Sequence, residues 1–412
     1  MTLQPRPPSV GADVGFRLES IETQVQMLAL KSAWQDLEAR DPEGTVYLSW
    51  DWLAATFAGY PGRWRVLIAW QGDQMVCAFP MKLRLHWSNS RQQLQTEIEA
   101  GGRLIYSEYT GFLCDPVYQN TALSEIAQHL QNLPWVRLSL KYEDSTARAA
   151  AFMAAFPEAQ FRSRNKDYFI NAGSTDNLAC PRVTLPQSYE AYLDGLGKNM
   201  RQKMRRFSRK YLDSGALRLS WADAEDAGAG IEHLLRHWLV KWLPSKGEAK
   251  ARKSVNTYRK MLTQAANLGL LRMPVLWQQD RCLGVLGHVL DPRHRQIHFI
   301  VAGRDEAVTG NFIGPLLHAQ SVRWGIENGY TSYDLCHGDE PYKFGYGAIA
   351  TRVNYVSIRR RYLTSPSAYL DPICAPRAMT CVIDFLQQEQ PAKALIVAKQ
   401  LQQVLANTAG PQ

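Results

Sequence analysis

The stretch Tyr333 to Gly347 reads YDLCHGDEPYKFGYG, with His337, Asp339, Glu340, Tyr342 and Lys343 gathered into seven residues of loop. Asp334 closes a predicted strand just before them. Ionisable groups collected after a strand end suit a reactive site better than a core, because the strand holds the loop while the loop aims its side chains at a ligand. Pro341 adds stiffness: it fixes its own φ and disfavours a helical conformation at Glu340. The competing reading is a solvated turn in which Asp339 and Lys343 pair with each other, worth about 1 kcal/mol or less.

Two further segments point to anions. VAGRDEAVTGNFIGPLL, Val301 to Leu317, carries a predicted strand into a loop with Gly303, Gly310 and Gly314, then into a helix with Pro315 near its first position. Glycines admit close backbone approach, and the unpaired N–H groups of a helix start attract phosphate. An ordinary flexible loop before a helix has the same composition. KNMRQKMRRFSRK, Lys198 to Lys210, holds seven cations, among them Arg201, Arg205 and Arg206, and no acid. So many like charges need counterions, and an anionic ligand, a phosphate-bearing cofactor or an acidic lipid surface weighs as much as a solvated helix face. Nucleic acid ranks lower, since no aromatic platform is interleaved with the cations and no zinc-finger spacing occurs.

Other residues carry less. His233 and His237 stand four apart on a predicted helix without a third ligand nearby, so no metal is expected. Cys336 and His337 are neighbours and would point to opposite sides of a strand, a poor nucleophile and base. His288 lies on the apolar strand GVLGHVL and is a candidate base only because it lines the same sheet as the glycine loop.

The elements that must position these groups come in one order, twice. In the first half a strand at 16–20 precedes helices at 25–38 and 50–57. Strands at 64–70 and 75–83 follow, then a Gln-rich loop at 88–99, strands at 103–106, 111–114, 136–140 and 160–170, and helices at 121–133 and 146–156. The second half opens on a long helix at 189–211. Strands at 217–221, 271–277, 282–290, 296–302, 332–336 and 352–362 and helices at 230–242, 255–267 and 314–328 complete it. The periodicities that define them are 3.6 and 2 residues. The predicted organisation is a flexible N-terminus (1–15), a first domain (16–170), a linker (171–188), a second domain (189–363) and a helical tail (364–412).

The length of 412 residues suits two cores better than one. With 46% hydrophobic and 21% charged residues the composition is that of a globular protein, which excludes wholesale disorder, collagen and coiled coil. The net charge of +9 fits an anionic partner. No apolar run is long enough for a signal peptide or a membrane span. The seven cysteines are widely spaced without a C-x-x-C pair, the pattern of reduced thiols in a cytoplasmic protein.

Read together, four segments resemble the GNAT acyltransferase superfamily, and most closely its CelD-like acetyltransferases associated with bacterial cellulose and other exopolysaccharides. They are Tyr47 to Leu53 (YLSWDWL), Cys180 to Pro186 (CPRVTLP) leading into the basic helix, Gly310 to Leu317, and Gly338 to Lys343 (GDEPYK). FemABX peptidyl transferases share a similar duplicated plan. The resemblance covers Phe16 to Leu363. It implies an α/β fold of tandem GNAT-like domains, each a mixed, mainly antiparallel sheet flanked by helices. It also implies acyl-CoA, acetyl-CoA above all, as co-substrate of the second domain. Phe299, Val301 and Ala302 would then align pantetheine, while Gly310, Asn311, Phe312 and Gly314 would hold the pyrophosphate, with Arg304 as the basic residue upstream. The first half, with one glycine and an acid in Gly111 to Pro116, is read as not binding CoA. Direct attack by an amine or hydroxyl needs a base and a proton donor. Asp339 is the first candidate base or acceptor-binding acid, His288 and His337 are alternatives, and Lys343 and Tyr342 would steady charge or protonate the leaving thiolate. The implied acceptor is a small molecule or saccharide. Implied too is peripheral association with an envelope synthase or the inner face of the membrane. An aminoacyl-tRNA donor and a non-catalytic scaffold are the alternatives.

Overall fold

The computed structural model describes residues 15–222, 227–362 and 369–408, so the first fourteen residues and the expected boundary at residue 363 lie outside the described residues. The first half builds β1 (Arg17–Ile21), α1 (Gln24–Ala29), α2 (Lys31–Arg40), α3 (Trp50–Ala58), β2 (Trp64–Gln71), β3 (Gln74–Ser88) and β4 (Gln93–Ala100). It continues through β5 (Leu113–Cys114), α4 (Gln119–Gln131), β6 (Arg137–Glu143), α5 (Thr146–Ala154) and β7 (Phe161–Asn165). Local signals account for many of these limits. The side chains of Ser49 and Ser145 accept from the backbone N–H groups of Trp52 and Arg148 and so cap α3 and α5. WRVLIAW forms β2 because both its faces are buried, as a near-continuous apolar strand requires.

The region read as a linker is not one. It forms a small hairpin, β8 (Phe169–Ile170) and β9 (Thr175–Asp176), and then β10 (Ala179–Thr184). The second half follows with α6 (Tyr189–Gly195), α7 (Lys198–Phe207), β11 (Arg218–Ala222), α8 (Ala227–Lys246), α9 (Glu248–Asn267), β12 (Leu271–Gln278) and β13 (Arg281–Asp291). Then come β14 (Gln296–Arg304), α10 (Ile313–Glu327), β15 (Ser332–Asp334), α11 (Pro341–Phe344), β16 (Ile349–Arg352), β17 (Asn354–Arg360), α12 (Ala375–Gln387) and α13 (Pro391–Thr408). The single helix expected over 189–211 is broken at Leu196 and Gly197, where the backbone turns extended.

Both halves form mixed, mainly antiparallel sheets flanked by helices. The first runs β1-β2-β3-β4-β6-β17-β7 and the second β11-β12-β13-β14-β15-β10-β16. Each is a four-strand meander joined to one parallel strand, β4 to β6 and β14 to β15, across a helical crossover. Each then takes its next strand from elsewhere in the chain. β17, expected in the second domain, pairs with β6 and β7 of the first sheet, while β10 sits between β15 and β16 of the second. The chain passes from one sheet to the other at Val353, whose N–H donates to the carbonyl of Leu178. The boundaries 16–170 and 189–363 are therefore corrected: the halves are interlocked by an exchange of strands.

Two other expectations change. Residues 88–99 form the end of β3 and β4, not an exposed loop, and 103–106 form a tight helical turn, not a strand. β4 reads QLQTEIEA, yet Gln93, Gln95, Thr96 and Glu97 are buried, because α13 covers this strand and Gln400 bonds both backbone groups of Leu94. α12 and α13 follow β17, and Val397, Leu401 and Val404 join the core of the first sheet.

Candidate active site

The second sheet opens where β14 and β15 part. They pair only through Gln296–His298 and Ser332–Asp334, and β14 then continues to Arg304 with that edge free. β15 is short for a local reason. The Asp334 carboxylate accepts from the N–H of Cys336 at 2.7 Å, from the Tyr109 hydroxyl at 2.6 Å and from Arg182 Nε at 2.9 Å, and Cys336 and Gly338 take positive φ. Chain that would have continued the ladder is turned away.

On one side of this opening lies a groove of about 430 Å³. Phe299, Ala302, Arg304, Asn311 and Gly314, all expected to hold a cofactor, line it with Lys203, His318, Tyr342 and Tyr346. A Cβ at Gly314 would meet nothing within 4 Å, so the start of α10 faces open space. No side chain caps α10 at Phe312, which leaves its first N–H groups free to meet an anion. Val301 faces the second cavity described below. Gly310 and Phe312 line neither. Phe312 is buried against Tyr211, ring centroids 4.2 Å apart, and Gly310 supplies a φ of +103°.

On the other side, between the halves, lies a cavity of about 680 Å³. The two spaces share Phe299, Ala302, Tyr342 and Lys241. Tyr342 is 48% exposed at this junction, and burial of its hydroxyl raises its pKa, so the phenol keeps its proton.

His337 faces this cavity in company the sequence did not suggest. Its Nε2 meets the Glu108 carboxylate of the first half, its Nδ1 lies 3.1 Å from Cys180 Sγ, and its ring stacks on Tyr142 at 3.6 Å. Burial alone would favour neutral imidazole, but Glu108 and Cys180 outweigh it and push the His337 pKa up to about 10, while His337 in turn holds Glu108 below the usual carboxylate range. β10 makes this contact by carrying Cys180 beneath the loop, and Leu335 and Gly338 donate to the carbonyls of Pro181 and Ala179. Glu108 is held by a loop that Arg103 clamps through the carbonyls of Tyr106 and Ser107.

The other sequence candidates are engaged by the protein around them. Asp339 lines neither cavity: its Oδ1 accepts from the N–H of Asp176 at 2.8 Å and ties down the β8–β9 hairpin. Lys343 is 3% exposed, and its ammonium donates to the carbonyls of His337 at 2.7 Å, Gly338 at 2.9 Å and Cys336 at 3.4 Å. Its partner carboxylate is Glu340, not Asp339. Lys343 lines the cavity between the halves, but with its donors engaged by these carbonyls it shapes the loop. His288 is 1% exposed and faces neither space; burial lowers its pKa to about 4. Its Nδ1–H donates to the Arg272 carbonyl, so its Nε2 accepts from the Tyr333 hydroxyl, and that oxygen accepts from His318 Nδ1–H at 2.7 Å. The chain of bonds leaves the lone pair of His318 on Nε2, in a ring that forms part of the groove wall.

The basic helix is less bare than its sequence. Arg205 pairs with Glu190 at 2.7 Å and Arg201 with Asp194 at 3.3 Å, both acids coming from α6. Arg206 lies over the Phe207 ring and lines a shallow surface hollow with Lys203 and Arg209. Of these cations Lys203 reaches the groove.

Residues 198–344, from α7 to α11, match the model of the acetyltransferase (GNAT) domain. That segment contains the groove and the loop of His337. No curated protein matches the chain. Among solved structures, FemX is 10% identical with a TM-score of 0.49, covering 82% of this chain and 96% of its own. A tandem GNAT protein from the clavulanic acid biosynthesis pathway is 10% identical with a TM-score of 0.46, covering 85% of this chain and 100% of its own. L-PGS from Bacillus licheniformis is 12% identical with a TM-score of 0.44, covering 80% and 92%. Likenesses of this degree fix neither donor nor acceptor. Among the described residues, no helix is long and apolar enough to cross a membrane.

Proposed function

We propose that the chain transfers an acyl group from a coenzyme A thioester directly to an amine or hydroxyl. The observation that carries this reading is the parting of β14 from β15 between a groove and a cavity that share Phe299, Ala302 and Tyr342. The free edge of β14 offers backbone N–H and C=O groups to an extended pantetheine arm, as a further strand would. The start of α10 and Lys203 offer positive charge to its phosphates. The thioester would then lie at the junction, where a nucleophile reaches it from the inter-half cavity. The C–S bond breaks as the new bond forms, and the Tyr342 hydroxyl hands a proton to the leaving thiolate. The match of the GNAT domain to residues 198–344 supports a donor site in this half. Acetyl-CoA is the expected donor and a saccharide of the envelope or of an exopolysaccharide the expected acceptor, as in CelD-like enzymes. The expected setting is cytoplasmic, at the inner face of the membrane beside an envelope synthase. The cations around the hollow beside α7 favour a second reading, an aminoacyl-tRNA donor.

Calorimetry with CoA, acetyl-CoA and longer acyl-CoAs tests the proposal. Binding by the wild type and at least tenfold weaker binding by Gly314→Trp are expected, about 1.4 kcal/mol or more. Absence of binding by every thioester removes the coenzyme A reading and leaves aminoacyl-tRNA or a scaffold.

A further inference from the structure

We infer that the inter-half cavity is the acceptor site, that it takes an amino sugar bearing phosphate, and that Glu108 of the first half receives the proton released when the amine attacks the thioester. The proton-transfer part rests on the proposed acyl transfer; the binding part does not.

Four features of the cavity carry the inference. Its walls are broad aromatic faces, Tyr142, Trp238, Trp242 and Tyr258, interleaved with the amides of Asn171 and Asn177 and with phenolic hydroxyls. A polyhydroxylated ring has C–H faces and hydroxyl edges and matches such a surface, whereas a purely apolar acyl chain would leave the polar groups unpaired. The volume of about 680 Å³ is in the range of sites that enclose a small ligand. Arg103, Lys241 and Lys246 also line the cavity; Arg103 donates to the carbonyls of Tyr106 and Ser107, Lys241 and Lys246 lie over the Trp242 ring, and among the described residues none of the three forms an ion pair with a carboxylate. Positive charge not neutralised by a carboxylate around a cleft attracts an anionic group, and phosphate is an anion that lysine and arginine suit. Finally, a carboxylate stands in the wall. Glu108 is 13% exposed and touches His337. A buried carboxylate and imidazolium cost desolvation energy that a purely structural pair rarely returns.

The chemistry favours nitrogen over oxygen. His337 keeps Glu108 ionised and therefore a weak base. A weak base cannot deprotonate a free hydroxyl, but it can take the proton from an amine nitrogen, which becomes strongly acidic as its bond to the carbonyl carbon forms. The neutral amine attacks, the C–N bond forms and the C–S bond breaks. The nitrogen loses its proton to Glu108, the thiolate gains one from Tyr342, and solvent restores both groups. His337 is a positioning residue: it fixes the carboxylate and compensates its charge.

Calorimetry with glucosamine 6-phosphate, UDP-glucosamine and glucosamine, each with and without acetyl-CoA, tests the binding part. At least one phosphate-bearing sugar is expected to bind tenfold or more tightly than glucosamine, and the two separate a free from a nucleotide-linked phosphate. Lys246→Met, a change at an exposed position, is expected to narrow that difference at least threefold. Equal binding of all three, or no binding of any by protein that binds acetyl-CoA, overturns the acceptor assignment. Sugar binding without acetyl-CoA binding keeps it and removes the donor reading. Glu108→Gln is expected to lower the turnover of acetyl transfer to the tighter-binding sugar at least 100-fold, with acetyl-CoA affinity within twofold of wild type. Full turnover by this variant overturns the role of Glu108.

Discussion

The two halves share the order of a four-strand meander and a parallel strand, and they differ in the crevice beside that parallel strand. In the second half β14 outruns its partner by six residues and the space beyond is open. In the first half β4 ends at Ala100, one residue after its last pair with β6, and the space is filled. Glu143 enters it and accepts from the N–H groups of Phe112 and Ser145. Beneath it Arg148 binds Asp41 through two nitrogens at 2.6 and 2.9 Å and donates to the carbonyls of Phe112 and Cys114. Gly111, at a φ of +146°, passes so close that a Cβ would stand 1.5 Å from Glu143 Oε2. One architecture thus serves two ends. Filled with its own ion pairs, the crevice adds rigidity; left open, it can admit a ligand, and the filled half instead contributes Glu108 to the space between them.

The comparison is broken most severely at Arg148. Arg148→Met leaves Asp41, fully buried, without its cation, and a cost of about 3–5 kcal/mol in urea denaturation is expected. Arg304→Met in the second half, where the partner is the solvent-facing Glu306, should cost less than about 1 kcal/mol. Equal losses would mean that the two crevices are filled alike.

Glycines sharpen the contrast. Gly111→Ala should destabilise by about 1–3 kcal/mol, from strain at positive φ and collision with Glu143. Gly314→Trp should leave the melting temperature within a few degrees, because it meets open space, while blocking the groove. A large loss of stability in the second variant would show that the groove is closed in solution.

The pH dependence of stability separates the buried carboxyl of one half from the junction pair. Burial pushes Glu143 up to about 8 despite Arg148, so its contribution is full below about 4.5 and lost as pH rises to about 8. His337, raised to about 10, contributes fully below about 6.5 and loses its contribution between there and about 10. Glu143→Gln should flatten the lower window of a melting-temperature profile and His337→Gln the upper one. Identical profiles for both variants would mean that the two groups are not protonated as their surroundings dictate. The smallest effect belongs to the surface: Arg205→Glu should change stability by less than about 1 kcal/mol, and by less still at high salt.

Much of this molecule was legible because it depends on near neighbours. Alternation and 3.6-residue spacing marked most strands and helices, and Gly303, Gly310 and Gly314 followed by Pro315 marked the junction of β14 and α10. β4 was missed because its residues suit a strand only when α13, some three hundred residues later, covers them, and strand preference depends on such packing. The crossing of β10 and β17 left no local mark either, since a strand reads the same whichever sheet it completes. The loop after Asp334 was legible as a candidate site, but the contacts of its members were not. Asp339 and Lys343 have the right chemistry and are consumed by the backbone around them, whereas His337 gains its charge from Glu108 and Cys180, which the strand exchange and the packing of the halves bring to it. Composition and periodicity determined two similar runs of strands and helices, an anion-seeking glycine loop and a reactive-looking turn. Which crevice stayed open, and which carboxylate faces it, was decided only by tertiary packing, because burial and charge contact act through space and not along the chain.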